Sequence, residues 1–129
     1  MIHGACLCGG VKFRFEAPVE SATACNCTAC RRYGALWIYD YDGHGVHVEG
    51  PTAAYVRGEA LGFHFCATCG CVTHWRALKA GDDGRWRLAV NARLAEPDAV
   101  AHLLIDHFDG FDTWDDLPRD GRCVKDYWF

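Results

Sequence analysis

The first clear pattern along the chain has a period of two. Residues 11–16, Val-Lys-Phe-Arg-Phe-Glu, alternate apolar and polar, the pattern of a half-buried strand. Pro18 ends that run, and Val19 to Ala24 predicts a second strand. Ala35 to Tyr41 is dense in aromatic and branched residues and reads as a core strand. Asp42-Gly43 is a hairpin-type turn signal. Further strands are predicted over His44 to Glu49, Ala53 to Arg57, Leu61 to Phe65, Cys71 to Arg76 and Trp86 to Leu94. Gly50-Pro51, Gly58-Glu59 and Gly81-Asp82-Asp83-Gly84 separate them. Glu96-Pro97-Asp98 predicts the start of a short helix that runs to about His102. From Phe108 to Asp116 the chain is turn-rich and irregular. Many short strands joined by glycine turns, with very little helix, predict a mainly β domain.

Composition narrows this. At 129 residues the expectation is a single domain, 1–129, with room for a modest core. Half the residues are hydrophobic, which excludes a disordered chain. The formal charge is −4 and no basic run interrupts the sequence, so neither nucleic acid nor an anionic membrane is an expected partner. The longest apolar run, Ala99 to Ile105, is short and broken by His102, too little to span a bilayer. The opening Met1-Ile2-His3-Gly4-Ala5-Cys6 has no signal-peptide character, and the expected compartment is the cytoplasm.

The cysteines change the picture most. There are nine, at spacings C-x-C, C-x-C-x2-C and C-x2-C-x-C. Pairs this close make poor disulfides and good metal knuckles. Cys6/Cys8 and Cys66/Cys69 are each followed by glycine, and together they supply a closed S4 site for a structural zinc. Cys25, Cys27 and Cys30 are a second cluster, with only three thiols for a tetrahedral ion. The fourth ligand comes either from elsewhere in the chain or from a bound molecule. Arg31 and Arg32 follow at once, positioned to offset the cluster's charge, to hold a ligand's carboxylate, or simply to sit in solvent. Cys71 is a rival fourth ligand but reads better as a packed thiol, as does Cys123. His64 and His74 lie near the second knuckle and read as strand residues.

Taken together, the motifs resemble those of the glutathione-dependent formaldehyde-activating enzymes, a family that includes centromere protein V. The matching residues are Gly4-Ala5-Cys6-Leu7-Cys8-Gly9-Gly10-Val11 with Phe13, then Cys25, Cys27, Cys30, Arg31, Arg32, Gly34 and Ala35, then Phe65-Cys66 and Cys69-Gly70. Val90 to Leu94 with Pro97 match more weakly. The resemblance implies a β-tent zinc fold of small twisted antiparallel sheets. It implies two zinc ions per chain, on Cys6, Cys8, Cys66 and Cys69 and on Cys25, Cys27 and Cys30. It also implies a carbon–sulfur lyase acting on a small thiol such as glutathione and on formaldehyde, through an S-hydroxymethyl adduct. Two other readings stay open from the residues alone. One is a non-catalytic, zinc-stabilised binding module; the other is a zinc or redox sensor.

Overall fold

The computed structural model of the chain describes residues 1–127. Its first strands form a three-stranded antiparallel sheet. β1 (Ile2–Ala5) pairs with β2 (Lys12–Phe15), and β2 pairs with the later β5 (Val46–Glu49). The period-two run explains β2: Phe13 and Phe15 are buried on one face, while Lys12 is exposed.

A second sheet has eight strands in the order β11-β10-β3-β4-β9-β8-β7-β6. They are β3 (Ser21–Cys25), β4 (Trp37–Tyr41), β6 (Ala53–Val56), β7 (Leu61–Phe65), β8 (Val72–Ala77), β9 (Arg87–Asn91), β10 (Leu104–Phe108) and β11 (Asp116–Leu117). The only helices among the described residues are two four-residue α-helices and two short 3₁₀ turns; α1 is Cys30–Tyr33 and α2 is Pro97–Val100. The mainly β class is as expected, and nearly all pairs are antiparallel. The exception is β10, which runs parallel to β3 with Ile105 opposite Ala22 and Phe108 opposite Cys25.

The centre of the large sheet is covered on both faces, which is why its strands read as near-continuous apolar runs. Leu36, Ile38, Leu88 and Val90 point into the main core, against Phe13, Phe15 and Val46 of the small sheet. Trp37 and Ala89 point the other way and pack with Phe63 and Trp75. On that second face the strand register makes one row: Phe63 lies opposite Trp75, Trp75 opposite Ala89, and Ala89 opposite Tyr39.

The differences from expectation are instructive. Residues 2–5 and 104–108 form strands that the pattern does not announce, because each completes an existing sheet rather than showing its own alternation. Asp42-Gly43 does turn, with Gly43 at φ 75, but it closes no hairpin. β4 and β5 belong to different sheets, so the turn carries the chain from one to the other. The strand expected over Trp86 to Leu94 stops at Asn91, where the side chain caps a 3₁₀ turn over Ala92–Leu94 by accepting from Arg93 N–H.

Candidate metal centres

The first centre is built on two matching turns. One lies between β1 and β2: Cys6 N–H donates to the Val11 carbonyl at 2.9 Å and Gly9 N–H to the Cys6 carbonyl at 2.9 Å. The other lies between β7 and β8: Cys66 N–H donates to the Cys71 carbonyl at 3.0 Å and Gly70 N–H to the Cys66 carbonyl at 2.8 Å. Gly9 and Gly70 sit at φ 78 and 81, a left-handed conformation that glycine takes without a Cβ clash. The turns bring the sulfurs of Cys6, Cys8, Cys66 and Cys69 within 4.8 Å of one another. The Cys8 sulfur is 3.6 Å from those of both Cys6 and Cys66. Sulfurs around a tetrahedral zinc, each about 2.3 Å from it, lie about 3.8 Å apart, so this donor set fits such an ion. Backbone amides prepare the charge it needs: Val11 N–H donates to Cys6 Sγ at 3.2 Å. The amides of Cys71 and Cys8 pull the Cys69 thiol down to about 6.

Cys71 stands beside this group without joining it. It packs on Cys6, Val11 and Cys66, and its sulfur accepts from Leu7 N–H at 3.4 Å. Cys71→Ala is therefore expected to leave the zinc-to-protein ratio unchanged in elemental analysis. Loss of one zinc per chain would make Cys71 a ligand.

The second centre comes from one continuous segment. Cys25 is the last residue of β3, Cys27 lies in the turn, and Cys30 opens α1. Their three sulfurs lie within 4.8 Å of one another, and among the described residues no fourth Cys, His, Asp or Glu joins the group. Cys30 N–H donates to Cys27 Sγ, and Trp37 Nε1–H donates to Cys30 Sγ, both at 3.3 Å. The hydrogen bond from the Cys30 thiol, with the amides of Cys27 and Gly110, brings the Cys25 thiol down to about 6. The soft three-sulfur donor set again fits zinc.

A loop from the far end of the chain closes over this cluster. Asn26, between Cys25 and Cys27, donates from Nδ2 to Asp109 Oδ1 at 3.2 Å and accepts Phe111 N–H at 3.0 Å. The Asp109 carboxylate also accepts the N–H groups of Asp112 and Thr113 and the Thr113 hydroxyl. Those donors, Thr113 N–H foremost, hold its pKa at about 2. Gly110 is thereby pressed onto the thiols: a Cβ there would lie 2.7 Å from Cys25 Sγ.

The three thiols open into a cavity of about 530 Å³. Its floor includes the cross-strand row of Phe63, Trp75 and Tyr39, and Phe108, Phe111 and Trp114 form part of its rim. Arg57 and Glu59, in the β6–β7 turn, are the only Lys, Arg, Asp or Glu among the described residues that line it.

The sequence profile of the family described as "Glutathione-dependent formaldehyde-activating enzyme" matches residues 1–99, about three-quarters of the chain. The chain belongs to this family. A crystal structure of a Rhodobacter sphaeroides protein is similar at 27% identity, with a TM-score of 0.58, covering 73% of this chain and 87% of that one. No curated protein matches the chain.

As a glutathione-dependent formaldehyde-activating family member, the chain carries all seven cysteines of both clusters inside the matched region. The rim loop, by contrast, lies beyond residue 99. Arg31 and Arg32 are exposed on α1 and do not line the cavity; Arg32 instead donates to the Thr28 carbonyl at 2.9 Å. The arginine that lines the cavity is Arg57. His64 and His74 face each other across β7 and β8, stacked 4.4 Å apart. Burial, and then the neighbouring His64, lower the His74 pKa to about 3, so it is a neutral packed ring at physiological pH. Cys123 is half-buried at a bridge to Leu104.

The sequence assigned no site role to Asn26 or the aromatic lining, and the Asp109-Gly110 and Trp114 stretch showed there only a loose resemblance to the family's C-terminal end. Trp37 and Tyr39, spaced by two, did signal a second aromatic face on β4. Nothing local in the chain ties Asn26 to Asp109, which is 83 residues away.

Proposed function

We propose that the protein joins a small thiol, such as glutathione, to an aldehyde such as formaldehyde, and cleaves the S-hydroxymethyl adduct in reverse. The observation that carries this reading is the three-thiol cluster opening into a ligand-sized cavity. Cys25, Cys27 and Cys30 would hold the second zinc, and Cys6, Cys8, Cys66 and Cys69 the first. Held by these three thiolates, a zinc ion would supply a soft Lewis acid that favours a thiolate over a thiol.

The rest of the work falls to the chain. The aromatic walls hold the ligand's body and exclude water from the reacting atoms. Gly110 and the Asp109 loop fix Cys25 and Cys27 in place. Arg31 and Arg32, in the last turn of α1, offset the negative charge of the cluster from outside the cavity. In the forward direction the thiol sulfur adds to the aldehyde carbon, a C–S bond forms, and the carbonyl oxygen takes up the proton that the thiol gives up. Holding both partners in one cavity promotes this addition by proximity. The reverse step breaks that C–S bond, as a carbon–sulfur lyase does.

Titration calorimetry in two buffers of different ionisation enthalpy tests the reading. Glutathione is expected to bind with release of a proton, and its S-methyl derivative to bind much more weakly. Below the free thiol's pKa the proton must be removed first, so affinity is expected to rise about tenfold per pH unit toward that pKa. Equal affinity for the two compounds would rule out thiolate capture and leave a non-catalytic binding module.

A further inference from the structure

The cavity over the second cluster is unlike a site built for a multiply charged peptide. Its walls present seven aromatic side chains, from four strands and the rim loop. Against them stand two charged side chains of opposite sign, Arg57 and Glu59, and the three-thiol cluster adds negative charge, which disfavours a ligand's carboxylates. Glutathione carries two carboxylates and an ammonium group. Burying a carboxylate without a cationic partner is costly, and Arg57 can pair with one of the two. Arg31 and Arg32 do not line the cavity.

The rim adds a second observation. Phe111 and Trp114 are 70% and 69% exposed, two large aromatics held in water at the mouth of one cavity. Trp114 is the only non-glycine residue at positive φ among those described, at φ 60. That conformation is uncommon for a bulky residue and persists only where the surroundings impose it. Here they do: Trp114 N–H donates to the Asp109 carbonyl at 2.7 Å, and its ring packs edge-on against Phe108. The loop spends strain to present an indole over the opening rather than to bury it.

We infer that the preferred thiol has a flat apolar body, an aryl-alkyl thiol, and that it binds more tightly than glutathione. This rests on the thiol-capture reading of the three-cysteine cluster. The cluster receives the sulfur, while the row of Phe63, Trp75 and Tyr39 receives the ring and Trp114 covers it. Offset and edge-on contacts between rings favour such a ligand beyond its buried area.

Four compounds separate the outcomes when titrated into the zinc-loaded protein: 2-phenylethanethiol, its S-methyl sulfide, glutathione and S-methylglutathione. The aryl thiol is expected to bind at least about tenfold more tightly than glutathione, a difference of about 1.4 kcal/mol. Methylation of either sulfur is expected to weaken binding. Trp114→Ala, a change at an exposed side chain, is expected to weaken the aryl thiol about tenfold and glutathione less than about twofold. Phe111→Ala is a second rim variant with the same expected direction. Glutathione binding as tightly as the aryl thiol would overturn the inference and leave thiol capture standing. An S-methyl aryl sulfide binding as tightly as its thiol would overturn thiol capture itself. Rim variants that weaken both thiols equally would also overturn the inference, since the rim would then not read the ligand's body.

Discussion

Cys66→Ser is expected to unfold the protein or leave it insoluble, and Cys8→Ser to do the same. The four-thiol cluster is where the two sheets are tied. Cys6 and Cys8 leave the three-stranded sheet, and Cys66 and Cys69 lie between two strands of the eight-stranded one. One ion held by all four thiols closes a loop of about 60 residues between them. Structural zinc contributes an apparent 10–16 kcal/mol to small zinc domains at neutral pH, roughly the whole stability of a typical domain. Serine is a much poorer zinc ligand, so losing one thiolate forfeits a large part of that energy. Cys27→Ser is expected to be milder, because Cys25, Cys27 and Cys30 lie within one segment and join no distant strands. Urea unfolding with elemental analysis checks both variants. A folded Cys66→Ser protein beside a collapsed Cys27→Ser protein would reverse the roles of the two clusters.

Gly110→Val is expected to empty the second centre while the fold survives. A bare Cβ at this position would already lie 2.7 Å from Cys25 Sγ and 2.9 Å from Cys27 Cβ. Valine adds two methyl groups, branched and stiff at χ1, in the same place. The Asp109 loop cannot simply back away, since Asn26 and the Asp109 carboxylate pin it from both sides. The thiols must yield instead, and a donor set spread apart no longer holds one ion. The expected result is a fall from two zinc ions per chain to one, with unchanged far-UV circular dichroism and loss of thiol binding. Retention of both ions would show that the loop moves freely and does not position the cluster. Gly110→Ala is expected to lie between the two.

The two cysteine clusters were legible in the chain itself. Cysteines two or three residues apart can turn their sulfurs toward a common point, because the geometry is local, and in the first centre each pair is also followed by glycine. The period of two likewise marked β2 to within a residue at each end, since there alternation and burial on one face are the same fact. What lay beyond it was everything set by long-range pairing. β1 and β10 became strands only because a sheet edge was present to receive them, and β10 did so in parallel to β3, a pairing with no local signature. That pairing carries Phe108 alongside Cys25 and delivers the Asp109 loop to the thiols. The aromatic floor arose the same way, from one residue each on β4, β7 and β8 aligned by register. Single side chains on separate strands leave no motif in a sequence. Arg31 and Arg32 show the converse: adjacency to Cys30 in the chain did not place them in the cavity, because α1 turns them to solvent while the β6–β7 turn brings Arg57 to its wall. Spacing along the chain decides which atoms can share a metal ion; the register of the sheet decides what else can reach it.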